Sequence, residues 1–243
     1  MTWADDEIAG KMGYDYCVLF DCARNAISAY HDITDFTLGL PENICPELVS
    51  HMTDRGHKIT FGEVNPLTGL SPGAVHLYGY QAPENPAQVA YLSLDPLMTG
   101  WVRHLKTESA IISFGIKKML PLGYGGAFLT NDQSLAEEIE PKGHWNDDFS
   151  DLLREYLPHL KVWRLQCFDI IALWDRYLGD SLARIPGEQL MPWRVMRRAH
   201  YSIERNAIRD ELRDAGFEVG TNYPPLIGYN EWGETVLNFF CSP

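Results

Sequence analysis

The sequence predicts an α/β fold, with a mostly parallel sheet covered by helices and a smaller C-terminal α+β domain. Three observations predict it. Short, wholly apolar runs recur between helix-like segments through the first 146 residues, and such runs mark strands buried on both faces. Composition changes near residue 147, where a long stretch rich in helix formers and aromatics begins. With 243 residues the chain suffices for one or two domains, burying roughly 70–75% of the surface its unfolded form exposes.

Each element follows from local chemistry. Residues 1–30 read as a short helix, a strand at YCVLF (16–20) and a helix at DCARNAISAY (21–30), with Asp21 as its cap. A helix over 45–56, stopped by Gly56, leads into a strand at 57–64, and NPLTGLSPG (65–73) is turn chemistry. Further strands are expected at 74–80, 90–95, 110–114 and 125–132. After the helical stretch 147–180 come a strand at 193–198, a helix at 201–216 with Gly216 as its C-terminal stop, and a strand at 236–240. The expected division is a large domain, 1–146, and a small one, 147–243.

Composition limits the partners. A formal net charge of −13 repels a phosphate backbone, so direct nucleic-acid binding is not expected. The strongest basic cluster, Arg194, Arg197 and Arg198, reads either as a solvated face or as a contact for an anionic substrate. Five cysteines without C-x-x-C spacing argue against a disulfide framework or a zinc site, so no metal is expected and a reducing compartment is. The acidic start MTWADDEIAG lacks the features of a signal peptide. No apolar run approaches the roughly 20 residues of a membrane span. A cytoplasmic protein without a membrane partner is expected.

The stretch from Asp95 to Asp132 carries the chemistry. An acidic residue follows one strand, a later strand ends in Ser113-Phe114, and Lys117-Lys118 precede a Gly-x-Gly-Gly turn at 123–126. Ligands of open α/β sheets sit at strand C-termini. A lysine there can form a Schiff base with an aldehyde cofactor. A carboxylate nearby can pair with a protonated pyridine nitrogen, and Ser113 can bond a phosphate. A solvated Lys-Lys turn and an Asp95 that caps a helix before Pro96 are the structural alternatives. His76, inside an apolar strand, reads as a core histidine.

In SFGIKKMLPLGYGGAFLTND, Ser113, Phe114, Lys118, Leu120, Gly123, Gly125, Gly126, Ala127, Thr130 and Asp132 fall in one register. That register resembles the active-lysine region of the DegT/DnrJ/StrS family of pyridoxal-phosphate sugar aminotransferases. DCARNAI (21–27), AVHLYGY (74–80) and AGFEVGTNYPPL (215–226) are similar to further family segments in the same order.

The resemblance implies fold type I and pyridoxal 5'-phosphate as cofactor. Lys118 becomes the Schiff-base lysine, with Lys117 its neighbour, and Asp95 the partner of the pyridine nitrogen. Ser113, Cys22, Ala23 and Arg24 fall at the cofactor phosphate. Arg24 suits bidentate phosphate contact and is otherwise a helix-surface arginine. The family's G-x-N-Y-R element is not recognisable, and Asn146 in His144-Trp145-Asn146 stands as the contact lent by a partner subunit. Met98 replaces the family's glutamine. The implied activity is transfer of an amino group from a small donor to a polar keto acceptor of the nucleotide-sugar kind, in a homodimer. A decarboxylase or lyase acting on an amino-acid group uses the same lysine. A non-catalytic binding homologue is the third reading, against which intact Lys118 and Asp95 argue.

Overall fold

The computed structural model describes residues 3–34, 37–41, 44–62, 75–76, 80–81, 89–92, 109–115, 118, 121–179, 182–184, 188–189, 194–221 and 235–240. In the N-terminal part the order is α1 (Trp3–Met12), β1 (Tyr16–Phe20), α2 (Ala23–Thr34), β2 (Leu38–Pro41), α3 (Pro46–Asp54) and β3 (Ile59–Gly62). There follow β4 (Val75–His76), β5 (Tyr80–Gln81), β6 (Val89–Leu92), β7 (Ser109–Ser113), β8 (Gly126–Thr130) and α4 (Gln133–Ile139). The rest comprises α5 (Asp147–Tyr156), α6 (Leu160–Leu178), β9 (Ala183–Arg184), β10 (Glu188–Gln189), β11 (Arg194–Arg198), α7 (Ser202–Asp214), β12 (Val219–Thr221) and β13 (Val236–Phe240).

The central sheet has the order β1-β8-β7-β6-β4. β4, β6 and β7 pair in parallel, while β8 is antiparallel to both its neighbours. Four of these five strands therefore share one direction, and β8 alone is reversed. The open edge of β1 is met by a parallel bridge from Phe20 to His144, which limits unpaired backbone there. A second sheet, β12-β13-β11-β9, is antiparallel throughout. β2 and β3 form a parallel pair, and β5 and β10 an antiparallel one.

The apolar strands are buried on both faces. Cys17 and Leu19 of β1, Ala110 and Ile112 of β7, and Ala127 and Leu129 of β8 join one core with α1, α5, α6 and the second sheet. Val18, Phe20, Ile111 and Phe128 point the other way, into a core with α2, α3 and α4. Period-two geometry thus splits each run between two helical layers. The first core contains residues from both sides of position 146, among them Ile8, Leu129, Leu153 and Phe239.

Two local readings change. Asp21 does not cap α2, which starts at Ala23; its Oδ1 instead accepts a hydrogen bond from Asn25 Nδ2 at 2.6 Å. The side chain competes for a side-chain donor and leaves the backbone N–H groups to others. The stretch 74–80 holds β4 and the first residue of β5, and residues 77–79 lie outside the described ones. α2 is further tied to the segment before β3, where Ser28 Oγ and His57 Nε2 are 2.7 Å apart.

Phe128 is fully buried and stacks on Tyr30 with ring centroids 5.6 Å apart. Phe128→Ala is expected to cost about 3–5 kcal/mol, through lost burial and a cavity between sheet and α2. Urea unfolding followed by circular dichroism checks this.

Candidate active site at the carboxyl edge of the central sheet

β7 delivers Ser113 to the edge of the sheet, and the chain then turns through Gly115 to Lys118 and back to β8. Lys118 N–H donates to Gly115 O at 2.9 Å, and Gly115 and Gly123 form a bridge. The loop bearing Lys118 is therefore pinned at its neck. Phe114 is fully buried and anchors the neck, its N–H donating to Gly125 O at 3.0 Å. Lys118 is half-buried.

β1 reaches the same edge from the other side of β8. Gly126 pairs with both Ser113 and Phe20, so Ser113 and the end of β1 lie about two strand spacings, roughly 10 Å, apart. Cys22 bridges Gly125, and α2 starts at once with Ala23 and Arg24. A Cβ on Gly126 would lie 2.5 Å from Ala23 N and 2.9 Å from Ile112 O. Only the absence of a side chain lets the first turn of α2 lie against β8. The geometry gathers Cys22, Ala23, Arg24, Ser113 and Lys118 at one edge, with the N-terminus of a helix, a natural anion site, among them.

Trp145 closes one side of this turn. Gly125 has φ +112°, a conformation that costs a glycine little, and a Cβ there would meet the Trp145 ring at 2.9 Å. Trp145 is set edge-on to Phe114, with centroids 6.2 Å apart, and its Nε1 donates to Ser150 Oγ at 2.8 Å. The sequence marks Trp145 only as the middle of His144-Trp145-Asn146. No local signal pairs it with Gly125; the bridge between Phe20 and His144 brings it there.

Asn146 caps α5, its Oδ1 accepting from Asp148 N–H at 3.0 Å. The charge of Arg24 reaches α3. Glu47 is held below the usual carboxylate range, first by the Cys45 thiol, which donates to it at 2.7 Å, and by Arg24 among lesser causes. His51 is lowered by burial, then by Arg55 and Arg24. Asp95, Lys117 and Met98 lie outside the described residues, and His76 is described only as part of β4.

Other groups are committed elsewhere. Arg197 is buried and ion-paired with Asp175, and Arg198 Nε donates to Thr235 Oγ1 at 3.3 Å. The arginine cluster is thus no uniformly solvated face: the strand turns Arg197 inward, where a carboxylate neutralises it. A cavity of about 180 Å³ beside β1 is lined by Asp5, Cys17 and Trp145 among others. Burial, and then Asp5 and Asp6, push the Cys17 thiol well up, which suits no nucleophile. Cys17, Cys22, Cys45 and Cys167 are free thiols. Among the described residues no acidic, histidine or cysteine cluster could hold a metal, and no helix is long and apolar enough to cross a membrane.

No protein-family model and no curated protein matches the sequence. The fold does match solved structures. Spr1654 from Streptococcus pneumoniae, in its PMP form, superposes with a TM-score of 0.79 at 12% identity, over 98% of this chain and 84% of that one. PseC of Helicobacter pylori, an aminotransferase involved in the biosynthesis of pseudoaminic acid, gives 0.74 at 13%, over 98% and 84%. DesI, solved in the presence of its TDP-sugar product, gives 0.76 at 15%, over 97% and 78%. The chain therefore has the fold of the fold type I aminotransferases. These neighbours are of the DegT/DnrJ/StrS type, the same type that the motifs around Lys118 resemble.

Gly126→Ala is expected to displace α2 from β8 and destabilise the chain by about 1–3 kcal/mol, the range for overpacking. Thermal unfolding measures it, and an unchanged melting temperature would mean that the Gly126–Ala23 contact relaxes freely.

Proposed function

We propose that this chain is a pyridoxal-phosphate-dependent aminotransferase whose cofactor is attached to Lys118 and whose acceptor is a polar keto compound of the nucleotide-sugar kind. The observation that carries the reading is that Ser113, the neck of the Lys118 loop and the start of α2 lie at the same sheet edge. The residues fit the cofactor. A phosphate suits the helix N-terminus at Ala23, with Arg24 and Ser113 as side-chain donors. The bare Gly126 keeps that helix end close against the sheet. Spr1654 was solved in PLP and PMP forms and DesI with a TDP-sugar product, which supports both cofactor and substrate class.

When bound, pyridoxal phosphate supplies an electron sink for a carbanion. The protein's task is to position it and to move protons. Lys118 Nζ would serve as the base that takes a proton from the donor's alpha carbon and the acid that returns it. Asp95, three residues beyond the end of β6, supplies the negative charge that keeps the pyridine nitrogen protonated. Residues 1–146 form the cofactor-binding unit in this reading, and 147–243 the small domain. Asn146 is the contact given to the cofactor of a partner subunit in a homodimer. The free cysteines accord with a reducing, cytoplasmic setting.

Borohydride reduction and peptide mapping are expected to place the pyridoxyl label on Lys118. Lys118→Ala is expected to lose the visible absorbance of the bound cofactor and all activity, and Lys117→Ala to keep both. A label on Lys117 would sink the assignment. Conversion of the cofactor to its amine form on adding an amino acid marks transamination, whereas carbon dioxide release marks a decarboxylase.

Asp95→Asn is expected to retain cofactor yet lose turnover by about 10²-fold or more, as when a group acting mainly in the transition state is removed. Arg24→Ala and Ser113→Ala are expected to weaken cofactor affinity more than they slow the saturated enzyme. A titration of cofactor against rate separates the two effects, and the reverse ranking argues against phosphate contact.

A further inference from the structure

His51 is the point at which α3 meets the first turn of α2. Arg55 Nη1 lies 3.1 Å from its Nδ1 and 3.0 Å from its Nε2. One atom that near to both ring nitrogens lies over the face of the imidazole, not in its plane. The same guanidinium reaches across to α2, with Nη2 3.4 Å from Asn25 Oδ1. The Arg24 carbonyl faces the ring as well and favours its charged form. Basic residues suit the last turn of a helix. Here they turn back onto the neighbouring helix and brace its N-terminal turn. Among the described residues neither Arg24 nor Arg55 forms an ion pair with a carboxylate. The nearby acids are engaged elsewhere. Glu47, one turn before His51, feels Arg24 but is held first by the Cys45 thiol. Asp21 accepts from Asn25. His57, before β3, meets Ser28 and lies 3.6 Å from Asp32, whose other oxygen takes Lys142. Burial holds His51 below the ordinary histidine range, and Arg55, Arg24 and then His57 add to this. At neutral pH the ring is therefore uncharged beside two guanidinium groups.

We propose that His51 is a positioning residue for a bound phosphoryl group: it holds the first turn of α2, with Arg24, in place, and takes up a proton when an anion covers Arg24. This role rests on the reading of Arg24 as the phosphate contact. The linkage follows from charge. An anion that neutralises Arg24 removes one of the charges that oppose protonation of the ring, and its own charge favours the protonated form. His51 then titrates at higher pH in the anion-bound chain than in the anion-free one. Binding tightens as pH falls through the anion-bound value and levels off below the anion-free value. At high pH the ring is neutral in both states, and only its packing between Arg55 and α2 acts.

The test uses the full chain without cofactor and sulfate as the probe, because sulfate keeps both charges throughout the range in which imidazole titrates. Calorimetric titrations in buffers of different ionisation enthalpy count the protons taken up. The wild type is expected to bind sulfate about fivefold or more tighter at about pH 5 than at about pH 8, the effect of a unit charge several ångström away. His51→Gln is expected to bind as the wild type does at the higher pH and to lose most of the pH dependence. His51→Ala, which also loses the packing against α2, is expected to bind more weakly at both. In the wild type, with no substitution, the proton NMR signal of the His51 ring is expected to titrate at higher pH with sulfate than without. Arg24→Ala separates the two readings. If sulfate does not bind, or binds as well to Arg24→Ala, the phosphate reading of Arg24 fails and the role of His51 with it. If Arg24→Ala weakens binding but the pH dependence survives in His51→Gln, or the ring's titration does not move, only the role of His51 is overturned.

Discussion

The contact between Gly126 and Ala23 holds the rest of the arrangement together. β8 runs against its neighbours and separates β1 from β7. The two segments that carry the candidate site leave the sheet on either side of it. They converge only because the first residue of β8 has no side chain, so that α2 can start within van der Waals reach of the strand. A side chain there would push the N-terminal end of α2 away from β8 and the strand ends beside it.

Around that contact several bridges and packed rings meet. The loop of Lys118 is closed by the Gly115–Gly123 bridge and braced by buried Phe114. Trp145 lies against Gly125 and is itself held by Ser150. Precise placement of a lysine amine matters for proton transfer, since the base must lie within hydrogen-bond reach of the carbon's proton. In the proposed role of half-buried Lys118, the bridged neck would supply that placement. The two cores on either side of the sheet fix the strands, and so fix the necks of the loops.

The part of the candidate site around Lys118 stands out in the sequence because its residues are close together along the chain. Ser113, Lys118 and the three glycines of the turn occur within fourteen positions, and their types carry the chemistry directly. The strands YCVLF and VLNFF coincide with β1 and β13, since a run of apolar and β-branched residues has little choice once both faces are buried. Asp21 misled, because a capping side chain and one that bonds Asn25 look alike in sequence. The Arg194–Arg198 cluster misled for a related reason: a strand alternates its side chains, so arginines close in sequence meet different surroundings.

By itself the sequence determined several of the strands and helices, among them YCVLF and VLNFF, and that apolar runs must be covered on two sides. Those properties depend on neighbours a few residues away. Only the tertiary structure decided that β8 reverses between β1 and β7, that Trp145 covers Gly125, that Arg197 is spent on Asp175, and that one face of α6 stays exposed. Each of these joins residues distant along the chain, and such pairings are fixed by strand order and packing, about which local composition carries no information.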